Sequence, residues 1–369
     1  MTIYTEEHQE LRATVRRLLE KSADRAAVRA TIDGLDAYDQ ALWARMSAEL
    51  GLAGLAIAES RGGSGFGVLE LSVVLEEIGR ANLPSPYLST VLAGLALTLA
   101  DADDTTARLL SGIASGERIA AVHLDTGDIR KSRGVEPSAA GHVPGGPIVG
   151  EQVLNGTARH VLDGPTADEL VLIGPGEGSV VDLGGDGVTV RRLAGIDLTR
   201  SHAHVTFDGA AARPITVGGD WKDRVAALAA VLLACEQIGG AERVLEISTC
   251  YATDRIQFGR PIGSFQAVKH TLADMLIELE LARAIQQDAV RLAATGAPLA
   301  ELMAAASTAK VACSQAFVQL TSDMIRVHGG IGFTWEHEAH LYFRRARASA
   351  RLFGDVSAHS DRIAAHVGL

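Results

Sequence analysis

The sequence predicts an α+β protein with three domains. These are an N-terminal helical domain over residues 1–118, a middle antiparallel β-barrel over 119–220 and a C-terminal four-helix bundle over 221–369. Three observations carry this reading. Apolar residues recur at spacings of three and four in the first and last thirds of the chain. Short β-type runs separated by Gly and Pro fill the middle third. The length, 369 residues, is more than one hydrophobic core usually serves.

The elements follow in order. "HQELRATVRRLLEKS" and "VLELSVVLEEIGRA" carry the helical period, and "ESRGGSGFG" and "NLPSPY" read as loops by their Gly and Pro content. "YLSTVLAGLALTLA" (87–100) is the longest apolar run, short of the ~20 residues a bilayer crossing needs, and reads as a buried helix. The strand candidates are "IAAVHL", "ELVLIG", "SVVDL", "GVTVRRL" and "HAHVTF", with turn residues crowded between them in "HVPGGPIVG", "GPGEGS" and "LGGDG". From "GDWKDRVAALAAVLLACEQIGGAERVLEISTCYATDR" onward the pattern is long helix. In "TLADMLIELELARAIQQDAVRLAA", Leu272, Met275, Leu276, Leu279 and Ala282 make one apolar stripe, and the alanine content favours closely packed helices.

Composition excludes several classes. With 45 acidic and 34 basic residues the net charge is −11, opposite to the basic footprint a nucleic-acid partner requires. Cys235, Cys250 and Cys313 are far apart and form neither a disulfide framework nor a zinc spacing, which points to a reducing cytoplasm. The opening "MTIYTEEHQELRATVRRLLE" is charged throughout and unlike a signal peptide. The expectation is a soluble, cytoplasmic protein with no membrane or nucleic-acid partner.

The stretch "RVHGGIGFTWEHEAHLYFRRA" (326–346) gathers His328, His337, His340, Glu336 and Glu338. A helical zinc site needs histidines four apart with the Glu between them, whereas His337 and His340 are three apart and no third ligand follows. No metal is expected. "RGGSGFG" and "GGPIVG" lack the dinucleotide fingerprint, and neither a Walker loop nor a G-x-S-x-G elbow occurs. "DRIQFGRPIGSFQAVKHTLADM" (254–275) places an Arg at a helix end, then an aromatic, glycines and a Gln on a turn. That equipment suits a phosphate and an adenine, and it equally suits an ordinary helical hairpin.

That segment, together with "RVHGGIGFTWEHEAHLYFRRA", closely resembles the acyl-CoA dehydrogenase family. "LGLAGLAIAESRGGSGFGVLELSVVLEEIGRANLPSP" resembles its N-terminal domain and "LNGTARHVLDGPTADELVLIG" its β-domain, so the resemblance covers nearly the whole chain. It implies FAD bound across a subunit interface, with the ADP half held by the neighbour's C-terminal domain. Arg255 then matches the arginine at the pyrophosphate, Phe258 the aromatic by the flavin and Gln266 the glutamine near the adenine. Arg326, Val327, His328, Gly329 and Gly330 match the family's Q-x-x-G-G loop, with Arg326 in place of the usual glutamine. Ser357 falls where the family has a Thr hydroxyl near the ADP portion.

The resemblance also implies the reaction, α,β-dehydrogenation of an acyl-CoA. A carboxylate takes the α-proton while hydride passes to the flavin, and hydrogen bonds to the thioester oxygen stabilise the enolate charge. Asp355 falls on the family's C-terminal Glu position and is one methylene shorter. The other family position, on the long helix before Arg255, is Ala229, and Glu236 lies two turns beyond it with a structural role expected. The family's T-E-P-x-A-G-S-D segment is almost erased in "AAVHLDTGDIRKSRGVEPSAAG". Three readings follow. The first is the base-poor subunit of a heteromeric α2β2 dehydrogenase of the steroid-side-chain type, whose partner supplies the Glu. The second is a self-sufficient homo-oligomer using Asp355, and the third a non-catalytic scaffold. In either catalytic case an electron-transferring flavoprotein is the expected acceptor.

Overall fold

The computed structural model describes residues 3–34, 36–133 and 152–369. The helices and strands follow the predicted order. Six helices open the chain: α1 (Glu6–Ser22), α2 (Arg25–Asp33), α3 (Gln40–Ala44), α4 (Val68–Arg80), α5 (Tyr87–Thr98) and α6 (Asp104–Ser115). Among the described residues seven strands follow: β1 (Ala120–His123), β2 (Ile129–Arg133), β3 (Gln152–Leu162), β4 (Glu169–Gly174), β5 (Glu177–Asp182), β6 (Val188–Leu193) and β7 (His202–Ile215). The last third is α7 (Trp221–Asp254), a two-residue hairpin β8–β9 (Ile256–Gln257, Arg260–Pro261), α8 (Gln266–Ala294), α9 (Leu299–His328), α10 (Ala339–Ser349) and α11 (Val356–His366).

The β-domain is one curled sheet, in the order β1-β4-β5-β7-β3-β2 with β6 also on β7. Among the described residues it does not close into a barrel, and the β1–β4 pair is parallel. Its curl comes from β7. Residues 202–212 of that strand pair with β3 and β6, while Arg213–Ile215 pair with β5, so one strand carries the sheet round a corner. Two register shifts in the β3–β7 ladder add local bending. Part of the segment expected to face a flavin ring, 134–141, and the turn "HVPGGPIVG" lie outside the described residues.

The long helix α7 is the centre of the molecule. By length and composition it could cross a membrane, but 89% of its most apolar window is buried inside the protein. It meets α4 backbone to backbone. A Cβ on Gly239 would fall 1.7 Å from the Glu76 carbonyl oxygen, and one on Gly79 would fall 1.9 Å from that of Glu236. Only glycine permits so close a crossing. α5 is buried on every side, from Tyr87 to Leu97, as the apolar run predicts. On α8, Met275, Leu279 and Ala282 face the core, but Leu276 does not and stands 49% exposed. A stripe is only as wide as the face a helix buries, and Leu276 lies outside it.

Candidate functional site

At one end of the bundle the C-termini of α7 and α9 meet the start of α8. Arg255 follows the last turn of α7, and Phe258 and Gly259, with φ of +53° and +77°, turn the β8–β9 hairpin. Two consecutive positive φ values are what a tight two-residue hairpin demands. The Phe258 ring stands 92% exposed, with Phe265 edge-on to it at 6.1 Å and the Arg260 guanidinium 4.1 Å over Phe265. Gln266 is exposed as the first residue of α8. The Arg255 guanidinium is exposed and has no partner among the described residues.

α9 ends beside this hairpin. The His328 ring stacks on Tyr251 of α7 at 4.2 Å, and its Nδ1–H donates to the Met324 carbonyl at 2.7 Å. Gly329 follows at φ 60° and ψ −138°, a region essentially confined to glycine. Neither Gly329 nor Gly330 has an atom within 4 Å of where a Cβ would stand, so this backbone lies open. The loop beyond is strapped by α2. Arg25 donates to the Glu336 carbonyl, and Arg29 donates to that of Trp335 at 2.6 Å while covering its ring.

The predicted loop residues divide in role. Gly329 and Gly330 offer exposed backbone, and Val327 is half-buried. His328 is 3% exposed and packs inward, so its side chain supports the loop rather than facing a ligand. The Arg326 guanidinium is exposed but already paired with Asp323 at 2.7 Å. Burial, aided by His328 and Arg25, pushes His337 down to about 4, and burial with Arg344 and Arg29 does the same to His340. Among the described residues no group of three metal-ligating side chains comes together.

Asp355 and Ser357 sit elsewhere. They lie at the α10–α11 corner, where His359 meets Ser307 near the start of α9. From Ser307 to His328 is 21 residues of one helix, roughly 30 Å at 1.5 Å per residue. The corner is firmly held. The buried Lys310 ammonium donates to the Ser349 and Ala350 carbonyls and the Ser314 hydroxyl, each at 3.1 Å. His359 Nε2–H donates to the Phe353 carbonyl, which leaves Nδ1 to accept from Ser307. That pattern requires the neutral ring, and burial holds His359 down at about 4.

Asp355 is not the desolvated carboxylate expected of a base. It is exposed, and its Oδ1 accepts the Ala358 N–H at 2.9 Å as the N-cap of α11. The other family position, Ala229, is fully buried and carries no acid. Glu236 is committed to a buried junction of all three domains. It is 3% exposed, accepts from Arg345 Nε at 2.9 Å and pairs with Arg200. Burial works to raise the Glu236 carboxyl, but Arg200 and Arg345 outweigh it and hold the group below its ordinary value.

Sequence reasoning missed the rest of this junction. Arg345 also donates to the Leu83 carbonyl at 3.1 Å and to Thr199 Oγ1 at 2.8 Å. Asp197 lies 3.5 Å from Arg200. Asp163, pushed up to about 6 by burial, accepts from Ser89 at 2.7 Å and from Ser201 at 3.3 Å. Nothing in the sequence spacing marks these residues as neighbours.

The residues implied for FAD therefore fit it in two halves. Arg255 with the open Gly329–Gly330 backbone suits a pyrophosphate, by charge and by unobstructed N–H groups. Ser357 lies too far away to join them within one chain.

A helical domain, a curled sheet and a helical bundle ending in this pair of loops define the class: a three-domain α+β scaffold with an open, arginine-bearing cradle at one end of the bundle. The chain belongs to the acyl-CoA dehydrogenase family, whose N-terminal domain description matches residues 5–117 and whose C-terminal domain description matches 224–368. It is 36% identical over 347 residues to acyl-CoA dehydrogenase IpdE2 of Mycobacterium tuberculosis, covering 94% of this chain and 93% of that one. Among solved structures it is similar to a variant of the Tcur3481–Tcur3483 steroid ACAD (30% identity, TM-score 0.85, 98% of each chain). It is also similar to the ChsE4–ChsE5 complex of Mycobacterium tuberculosis, with 29% identity and a TM-score of 0.87 over 99% of this chain and 98% of that one.

Proposed function

We propose that this chain is the base-poor subunit of a heteromeric acyl-CoA dehydrogenase acting on a steroid-side-chain type of acyl thioester. One observation carries the reading: neither family base position offers a free, desolvated carboxylate, since Asp355 is an exposed helix cap and position 229 is alanine. Likeness to the Tcur3481–Tcur3483 and ChsE4–ChsE5 proteins supports it.

FAD, when bound, supplies the acceptor for the β-hydride. This chain contributes the ADP cradle: the Arg255 charge meets the pyrophosphate, Phe258 covers the cofactor, and Gly329 and Gly330 give backbone donors. The partner supplies the Glu that removes the α-proton and the pocket for the flavin ring. Electrons pass to an electron-transferring flavoprotein.

The visible spectrum tests this. The chain alone is expected to be colourless and to gain flavin absorbance only with a Glu-bearing partner. Stoichiometric flavin in the chain alone, bleached by an acyl-CoA, refutes the heteromer. Arg255→Ala is expected to lower flavin occupancy of the complex at least tenfold, and unchanged occupancy refutes the ADP-site assignment.

A further inference from the structure

Where α1, α2, α4, α7 and α10 converge they enclose a cavity of about 220 Å³. None of the cradle residues Arg255, Gly329 and Gly330 lines it. It is smaller than the ~300–1,000 Å³ of sites for drug-sized molecules, so its occupant is small. Leu19, Val28 and Leu341, all buried, supply apolar lining. The charged lining balances: Arg16, Arg25, Arg80 and Arg243 against Glu20, Asp24, Glu77 and Glu338.

Most of these charges are committed. Arg16 pairs with Glu77 at 2.8 Å, Arg80 holds Glu246 through bonds of 2.6 and 2.5 Å, and Asp24 caps α2. Arg25 straps the Glu336 carbonyl, and Glu20 faces solvent. Arg243 and Glu338 are different. The Arg243 guanidinium spends a single nitrogen, on Glu246 at 3.2 Å. The Glu338 carboxylate has neither an ion pair nor a hydrogen bond among the described residues. Burial raises that carboxyl, and the Arg243 and Arg25 charges oppose the rise. A third group is unmatched. Asn82 stands in the cavity wall, 3% exposed, and neither its Oδ1 nor its Nδ2 has a partner among the described residues. Its φ of +49° accounts for an Asn just past the end of α4, but not for a buried amide with nothing to bond.

We propose that this cavity binds a small aliphatic α-amino acid. The ligand carboxylate meets the free side of Arg243 and accepts from Asn82 Nδ2–H. The ligand ammonium donates to Glu338 and to Asn82 Oδ1, and the aliphatic side chain lies among Leu19, Val28 and Leu341. The charges select a zwitterion, because one group of each sign is left unmatched. A simple anion leaves Glu338 unpaired, and a simple cation leaves Arg243 half used. The site owes nothing to the flavin assignment or to the heteromeric reading, and its test is separate from theirs.

Equilibrium dialysis of the full chain against radiolabelled L-leucine tests this. One saturable site per chain is expected. Leucinamide lacks the carboxylate and isocaproate lacks the ammonium, and each is expected to compete about tenfold or more weakly than leucine, the loss of a charge-assisted hydrogen bond. Glu338→Gln and Arg243→Gln should each weaken leucine binding by a similar factor. Asn82→Gly removes the amide, keeps the backbone angle, and should weaken binding as well. The analogues need no variant, and circular dichroism shows which variants are folded, so one misfolded substitution does not void the test. Absence of saturable leucine binding to the wild-type chain overturns the proposal. Leucinamide or isocaproate competing as well as leucine also overturns it, and so does a folded Glu338→Gln that binds leucine like the wild type.

Discussion

Glu236→Gln separates a structural carboxylate from a catalytic one. The wild-type group is shared by two guanidiniums, Arg345 at 3% and Arg200 at 4% side-chain exposure, which it holds between α7, α10 and the β-domain. Removing one partner of a buried ion pair costs ~3–5 kcal/mol. Glutamine keeps the shape and one acceptor for Arg345, and Arg200 retains Asp197, so we place the loss at the low end, about 3 kcal/mol. With a urea slope near 3 kcal/mol/M this moves the unfolding midpoint down by ~1 M, read by circular dichroism. The double variant Glu236→Met/Arg345→Met removes both charges and is expected to recover part of the loss. The acid limb should change as well. Because the folded Glu236 carboxyl lies below its unfolded value, its contribution is present above about pH 4.3 and lost as pH falls through the folded pKa. Glu236→Gln should therefore flatten the acid limb. Wild-type unfolding combined with lost reduction by acyl-CoA in the assembled enzyme would refute this reasoning and assign Glu236 to the chemistry.

Gly239→Ala drives a methyl to within 1.7 Å of the Glu76 carbonyl, so α4 and α7 must part. A loss of about 3 kcal/mol is expected in the same unfolding assay, and a change below ~1 kcal/mol would mean the crossing is looser than described. Burial lowers Lys310 to about 8, while the unfolded chain holds that proton up to ~10.4, so the contribution of this group to stability rises with pH across the window. The buried Cys235 and Cys313 thiols, pushed up by burial, act in the opposite sense in the same window. The change in urea midpoint from pH 7.5 to 9.5 should therefore be more positive in the wild type than in Lys310→Met, and the same change in both would refute the assignment to Lys310. Asp355→Asn keeps a capping side chain and should leave turnover of the assembled enzyme intact, whereas Asp355→Ala should cost about 1 kcal/mol of stability through the lost N-cap. Loss of turnover in Asp355→Asn with flavin still bound would restore Asp355 as the base.

The long helices and the strand-rich middle were legible because helical and strand periods are local properties of a chain. The turn after Arg255 and the break at Gly329 were legible for the same reason, since glycine marks a place that tolerates unusual backbone angles, but the positive φ of Phe258 was not, because a bulky side chain disfavours it. Asp355 carries a second local signal besides its family position: an Asp directly before a helical run is a favoured N-cap. Leu276 fitted the apolar period yet faces outward, because the neighbours that decide which stripe is covered belong to other helices. The curl of the sheet needed the pairing partners of β7. The junction of Asp163, Asp197, Arg200, Glu236 and Arg345 was invisible, since charged residues so far apart in the chain look like solvated surface until three domains close over them. The sequence alone thus determined the family fold. Only the tertiary structure decided which carboxylates are free to react and which are spent holding the domains together, because burial and charge pairing are set by contacts between distant segments.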